Sequence, residues 1–579
     1  MANNQRATRP VYYLIMLALP ALVLLGAEGA LRLFGFGQHY PLFIPTTHSP
    51  GLLQPNPAII QRYFHHPAAA PNVAPDTFIF TAQKPKDTLR LVVMGGSTAA
   101  GFPYGRFGSP TGMLQHQLKQ LYPERDIEVI SVAMASINSY ALRDFSAEVA
   151  ALEPDAVLIY AGHNEYLGVM GVGSVYAGAG GHLSNLMLLN LKSSRLFQLL
   201  QSLLYPAPNK TAIQTGRTVM ATVAKDTHIP LNSELYNAGI AQFRNNMQAV
   251  IKTFQEHGIP VYLSNLVSNE QHQPPFESLP ESAGLSASAR LNFSVANERF
   301  NAGEVKQAHQ FFQTARDLDL LRFRAPSQIN TEIARLTEAD GVYLVNSEQI
   351  VRDDTTHGII GKVHMLEHLH PTARGYFKLA YAFLLSLQRH ELLPSVSDFS
   401  PESLWQTIPL TEVDHQFAEL KVQQLISDYP FQAAPVPFSL PVPDNDITRF
   451  AIARFNGQAW LEQQSALLTY YQEQQNPLRA ATVASVMADA LHANHQAENA
   501  ASQLYRQANQ LTLSQYHARR AVNLVPTSFA YRMHYAQVLY LGNNLSAARL
   551  QLRKALEIEP VNPQAKHYLQ QINQQMAGQ

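Results

Sequence analysis

The sequence predicts an α/β domain with a parallel sheet, followed by an all-α array. Between residues 87 and 393, short apolar blocks closed by glycine-rich breakers alternate with longer helix-like stretches, as buried strands and their connections do. Beyond Pro394 the strand signals stop and only helical patterns remain.

The first strand, Arg90-Leu91-Val92-Val93-Met94, halts at Gly95-Gly96-Ser97. Two glycines permit a sharp turn and a close backbone approach. A serine there sits at the carboxyl end of a central strand, where open α/β sheets take their ligands. The nucleophile-elbow pattern G-x-S-x-G does not apply, because position 99 is alanine. A second strand starts at Glu128 and runs through Ser131-Val132-Ala133 into a small-residue turn. A third, Ala156–Tyr160, ends in Gly162-His163-Asn164-Glu165. Two more strand patterns begin at Gly258 and Gly341, with a helical hairpin expected over 286–321, turning at Gly303. The last block, Glu367-His368-Leu369-His370-Pro371-Thr372, precedes a helical run from Gly375 to Gln388.

Taken in this order, the blocks resemble those of the SGNH (GDSL-type) hydrolases, which present serine, glycine, asparagine and histidine in turn. The resemblance covers about Asp87 to Gln388. It implies a flavodoxin-like three-layer parallel sheet with helical insertions at about 170–250 and 284–325. A serine hydroxyl becomes a nucleophile when a neighbouring base takes its proton, and a third group holds that base in the right tautomer. The resemblance assigns these roles to Ser97, His370 and Glu367. It builds the oxyanion hole from the backbone N–H groups of Ser97 and Ala133 and the side-chain amide of Asn164. The chain departs from the family pattern at Gly96, Glu165 and Glu367, where aspartate is usual, and at Ala133, where glycine is usual. The expected reaction is acyl transfer through an acyl-serine, by an ester hydrolase or O-acyltransferase acting on acylated envelope glycans or lipids. It needs no metal or organic cofactor. A non-catalytic assembly protein with the same fold is the alternative.

His364-Met365-Leu366-Glu367-His368 also spells H-x-x-E-H, the inverted zinc-peptidase pattern. That chemistry needs both histidines on one continuous helix. Pro371 follows three residues later and glycines 358 and 361 precede, so a loop is expected instead.

A chain of 579 residues is too long for one ordinary domain. With 46% hydrophobic and only 15% charged residues it forms cores, and 42 basic against 43 acidic residues leave no field to draw nucleic acid. Having no cysteine, it has neither disulfides nor thiolate metal sites. Val11 to Ala27 is a charge-free run of 17 residues, just long enough to cross a bilayer as a helix. Arg6 and Arg9 precede it, which keeps the amino end cytoplasmic. An uncleaved anchor is expected over a cleaved signal peptide, whose site would be the poor match Ala27-Glu28-Gly29. The protein is thus expected in the inner (cytoplasmic) membrane, single-pass, with its bulk periplasmic.

Residues 1–10 would form the cytoplasmic end, 11–35 the signal anchor, 36–86 an extracytoplasmic tether and 87–393 the hydrolase-like domain. Within the latter, the glycine-rich stretch 168–181 reads as a surface loop near the site, with a lid as the alternative, and 184–205 as an apolar helix packed on the sheet, with an amphipathic element lying against the membrane as the alternative. Residues 394–445 read as a linker and 446–579 as helical repeats. In the repeats, Pro526 and Pro560 stand 34 residues apart, the tetratricopeptide period, with Ala536, Ala548, Leu552 and Ala555 at its close-packing positions. Such an array recruits a protein partner on its concave face.

Overall fold

The computed structural model describes residues 9–47, 49–64, 70–174, 181–204, 220, 228–397 and 399–577. Most of the glycine/alanine tract (175–180) and the middle of the first expected insertion (205–219 and 221–227) lie outside the described residues.

Helix α1 (Arg9–Leu33) contains a span, Tyr12–Leu33, with mean hydropathy 2.1 and no buried side chain among those described. Among the described residues it alone is long and apolar enough to cross a bilayer. The segment expected as a tether is folded against the domain. Its strands β1 (Phe43–Thr46), β2 (Ser49–Pro55) and β3 (Phe80–Thr81) pair antiparallel. Leu42, Ile59, Ile60, Phe78 and Phe80 join the main hydrophobic core. Arg62 clamps the segment down through Asp144 (2.8 Å) and Glu148 (2.6 Å).

The main sheet has five parallel strands: β4 (Thr88–Gly95), β5 (Asp126–Ser131), β6 (Ala156–Tyr160), β7 (Val261–Ser264) and β8 (Val342–Val345). Their spatial order is β5-β4-β6-β7-β8. The chain leaves β4 to one side for β5 and returns on the other side for β6. Open α/β sheets bind ligands outside such a reversal, and here that position lies beyond Gly95. Strand β6 and the Leu91–Gly95 part of β4 are apolar because both faces are covered. Helices α4 (Ser139–Ala150), α7 (Glu234–Glu256) and α10 (Ser327–Leu336) pack together on one side; α3 (Pro110–Leu121) and α12 (Ala373–Arg389) pack on the other. Helix α7 is therefore a layer of the fold, although it falls within the first expected insertion. The second expected insertion holds a hairpin, α8 (Ala289–Asn301) and α9 (Val305–Asp317), turning at Gly303 with φ +79°.

Helices α5 (His182–Lys192) and α6 (Arg195–Leu204) were expected on the sheet. Only Leu186 and Leu189 of the pair reach the main core, and α6 packs on α1. Residues 168–171, expected as a surface loop, are tightly packed: Leu167, Val169 and Met170 are buried, and Val169 N–H donates to the Ser136 carbonyl at 2.8 Å.

The expected linker is folded too. It carries α13 (Pro401–Trp405) and α14 (Glu412–Ile426); Leu404 and Leu410 enter the main core while Val413 and Leu420 enter the helical one. Eight further helices from Asp446 to Ala577 follow, with consecutive members packed on one another from Trp460 onward. Ala536, Ala548, Leu552 and Ala555 are all buried in the contacts between them. Arg519 ties this array to the sheet domain through Asp126 at 2.8 Å, as Lys119 does through Asp489.

Candidate active site

The loop after β4 is shaped by what two glycines leave room for. A Cβ at Gly95 would lie 2.1 Å from the Tyr160 carbonyl on β6. At Gly96 it would lie 2.8 Å from Asn164 Nδ2. The missing side chains thus let the end of β6 and the Asn164 amide close against the chain beside Ser97. A side chain such as aspartate at 96 would push that amide away. Helix α2 (Ser97–Ala100) starts at the serine, leaving its backbone N–H without an acceptor within the helix.

Residues 364–372 form a compact turn, with no helix across the H-x-x-E-H pattern. Leu366 N–H donates to the His370 carbonyl (2.8 Å) and Thr372 N–H to the His364 carbonyl (2.9 Å). Thr372 then caps α12 through Gly375 N–H. His364 faces Asp354 at 2.8 Å, away from Glu367. Asn269 fastens the turn by donating its side-chain amide to the Glu367 carbonyl (3.0 Å) and its backbone N–H to that of His368 (2.9 Å).

This turn delivers His370 to Ser97: Nε2 and Oγ are 2.8 Å apart across 273 residues of sequence. On the other edge of the ring, His370 Nδ1 bonds the Glu367 carboxyl group, which also accepts His370 N–H at 3.0 Å. Burial holds the His370 imidazole down, at about 3, so the ring is neutral at pH 7. With Nδ1–H donated to Glu367, the lone pair of Nε2 faces the serine hydroxyl. Phe102 packs on the ring, with centroids 4.6 Å apart.

Glu367 has a second partner that sequence reasoning missed. His368 Nδ1 bonds its other oxygen. The His368 ring sits in a cage of Phe276, Phe323 and Phe431 at 5.4–5.9 Å, and burial drives its pKa well below the ordinary value. Glu367, His368 and His370 are the described residues whose ligand atoms cluster closely enough for a metal. In this structure the ring nitrogens bond the carboxyl oxygens directly.

Two of the three expected oxyanion donors lie beside the serine. Among the described residues no acceptor takes Ser97 N–H, and Asn164 Nδ2 uses one hydrogen on the Ile137 carbonyl at 3.0 Å while no second acceptor takes the other. Ala133 is not at the site. The chain continues to pair with β4 after β5 ends: Val132 N–H donates to Val93 and Met134 N–H to Gly95. Ala133 N–H, buried, turns to Ser131 Oγ at 3.3 Å. The turn comes later, at half-buried Ser136, whose φ is +68°. No acceptor among the described residues takes Ser136 N–H, and its carbonyl is held by Val169. A non-glycine residue at positive φ is the signal that marks this position, and the sequence does not display it. Glu165 is structural: fully buried, it takes Ser139 Oγ at 2.7 Å and the Gln242 amide, and burial raises it to about 7.

A second Ser-His-Glu arrangement lies in the helical array. Ser485 Oγ is 3.0 Å from His517 Nε2, and His517 Nδ1 is 2.7 Å from Glu498. All three are buried, and Arg520 holds the carboxylate at 2.6 Å. This set links neighbouring helices and offers no substrate access. Exposure of the serine, and free donors beside it, separate the two sites.

No family model and no curated protein matches the chain. Its structural neighbours include SGNH/GDSL esterases and lipases and tetratricopeptide domains. An acetyl xylan esterase aligns with 52% of this chain and all of its own, at 13% identity and a TM-score of 0.27. A GDSL-like lipase from Bacteroides thetaiotaomicron VPI-5482 aligns with 53% of this chain and 92% of its own, at 14% identity and a TM-score of 0.26. The first tetratricopeptide domain of Spaghetti (RPAP3), bound to an HSP90 peptide, aligns with 20% of this chain and 90% of its own, at 19% identity and a TM-score of 0.19. Similarity of this order carries no argument about activity.

Proposed function

We propose that the protein is a membrane-anchored serine ester hydrolase or O-acyltransferase. The observation that carries this reading is the hydroxyl of partly buried Ser97, 2.8 Å from a neutral, carboxyl-oriented imidazole, flanked by donors that no described acceptor takes. Ser97 Oγ attacks the ester carbonyl while His370 Nε2 takes its proton. The oxyanion is stabilised by the N–H groups of Ser97 and Ser136 and the amide of Asn164; loss of one such donor typically costs about 10²–10³ in kcat. As the intermediate collapses, the C–O bond to the leaving alcohol breaks, and the alcohol departs with the proton from His370. A water or sugar hydroxyl, deprotonated by His370, then attacks the acyl-serine and frees Ser97. Glu367 stabilises the imidazolium formed in each half-reaction.

Acylated envelope glycans or lipids are the proposed substrates, reached from the outer side of the membrane crossed by α1. The strand order supports a flavodoxin-like core. The paired helices and the 34-residue spacing of Pro526 and Pro560 support a tetratricopeptide-like array, which we take to recruit a protein partner. A fluorophosphonate probe tests the chemistry. Labelling of the folded protein at Ser97, identified by mass spectrometry and abolished by Ser97→Ala, supports it. An unlabelled folded protein instead supports a scaffold.

A further inference from the structure

Helices α5 and α6 are arranged inside out. The residues they bury are polar: Asn185 is 5% and Gln201 7% exposed, and Asn185 Nδ2 donates to Tyr140 Oη at 3.2 Å. The residues they turn outward are apolar. Leu183, Met187 and Leu191 recur at i, i+4 and i+8 on α5; Leu200, Leu203 and Leu204 recur at i, i+3 and i+4 on α6. Leu183 is 80% and Leu203 72% exposed. Water does not favour such a surface, and contiguous apolar patches on a folded protein mark contact sites.

The place of the pair in the fold points to what covers it. Glu28 of α1 caps α6: its carboxylate accepts Ser194 Oγ–H (2.8 Å), Arg195 N–H (2.9 Å) and Leu196 N–H (2.8 Å). Arg32 donates to Glu28 at 2.8 Å and to the Ser193 carbonyl at 3.2 Å. Gln198 and the Gln38 backbone exchange two hydrogen bonds, at 2.8 and 2.9 Å. Glu28 is the first charge after the 17-residue apolar run, so it stands where the span meets the headgroups. The clasp fixes α5 and α6 at that level.

We infer that the outward faces of α5 and α6 lie in the interfacial layer of the bilayer that α1 crosses, making a second membrane contact that holds the catalytic domain at a set height and orientation. Amphipathic helices at such an interface sink their apolar face about 5–10 Å into the headgroup and acyl boundary. His182, at the start of α5, meets Tyr140 Oη at 3.0 Å on the first turn of α4, four residues beyond Ser136. The membrane contact therefore connects to the turn bearing the oxyanion donor. The inference rests on reading α1 as a membrane span.

The test uses the full cysteine-free chain in vesicles of phosphatidylethanolamine and phosphatidylglycerol. Single cysteines at Leu183 and Leu203 carry a fluorophore, with Leu22 in the span and exposed Leu541 in the array as references. Labels at 183 and 203 should be quenched by spin-labelled lipid, at a depth shallower than 22. Iodide should quench them at least about fivefold less than a label at 541, as for a face sunk into the interface. Labels at 183 and 203 as open to iodide as 541, with 22 quenched by lipid, overturn the inference and leave the anchor standing. Labels shielded from iodide yet silent to lipid also overturn it, and assign the face to a second copy of the chain. A label at 22 open to iodide refutes the span and this inference together.

Discussion

Replacing Glu367 by glutamine removes a charge while keeping the shape of the side chain. The carboxyl group accepts His370 Nδ1–H and His370 N–H (3.0 Å) on one oxygen, and His368 Nδ1–H and Leu369 N–H (3.4 Å) on the other. A glutamine has only one acceptor oxygen. The backbone donor at 3.0 Å is the closer, so the amide oxygen stays with His370 and its NH₂ faces His368, whose ring must change tautomer. His370 then keeps its lone pair toward Ser97, and the variant loses the charge that steadies the imidazolium. Opposite charges about 4 Å apart interact by about 4 kcal/mol at an effective dielectric of 20, which converts to roughly a thousandfold in rate. Glu367→Gln should therefore lower kcat on a p-nitrophenyl ester by about 10³ with KM little changed. Fluorophosphonate labelling of Ser97 should slow in parallel. A variant within tenfold of the parent, folded to the same melting temperature, would refute the assignment of Glu367.

Substituting His368 by leucine should lower kcat about tenfold at constant KM, the worth of one hydrogen bond to a charged group, and His368→Gln, which still donates, should recover most of it. Ser136→Gly should raise stability by about 1 kcal/mol in urea denaturation, because φ +68° is strained for a residue with a Cβ, and should retain esterase activity through the same N–H; Ala133→Gly should leave kcat unchanged. Burial depresses His116, His163 and His370 to about 3 and His534 to about 4. The unfolded chain therefore binds more protons below about pH 6.5, and stability is present above that value and lost as pH falls toward about 3. At pH 5 each such histidine costs about 2 kcal/mol, so the melting temperature should drop steeply between pH 6.5 and 4.5; a flat profile over that range would refute the burial. The same depression places the acid limb of kcat/KM below pH 6.5, which a pH-rate profile checks.

Features written over a few adjacent residues could be read directly. Gly95-Gly96-Ser97 ends a strand because its neighbours are apolar and its glycines are not, and Glu367 can reach His370 because a turn of three residues suffices. Pro371 forbids the helix that a zinc site would need. Long apolar α1 is likewise visible as composition. Other features depend on which groups remain unpaired after distant segments meet, and no local pattern records that. Ala133 lost its place as a donor because the chain beyond β5 keeps pairing with β4 for three more residues, which moves the turn to Ser136. His368 joined Glu367 only because Phe276, Phe323 and Phe431, from far along the chain, enclose it. Residues 36–86 and 394–445 read as tether and linker, yet tertiary packing gives their apolar side chains a core to enter. The inverted faces of α5 and α6 also arise from position, since Glu28 holds these helices beside α1. The sequence by itself determined the chemistry available, its types of side chain and their local turns; tertiary structure decided which hydrogen-bond donors stayed free and which surfaces stayed bare, because both are remainders of long-range pairing.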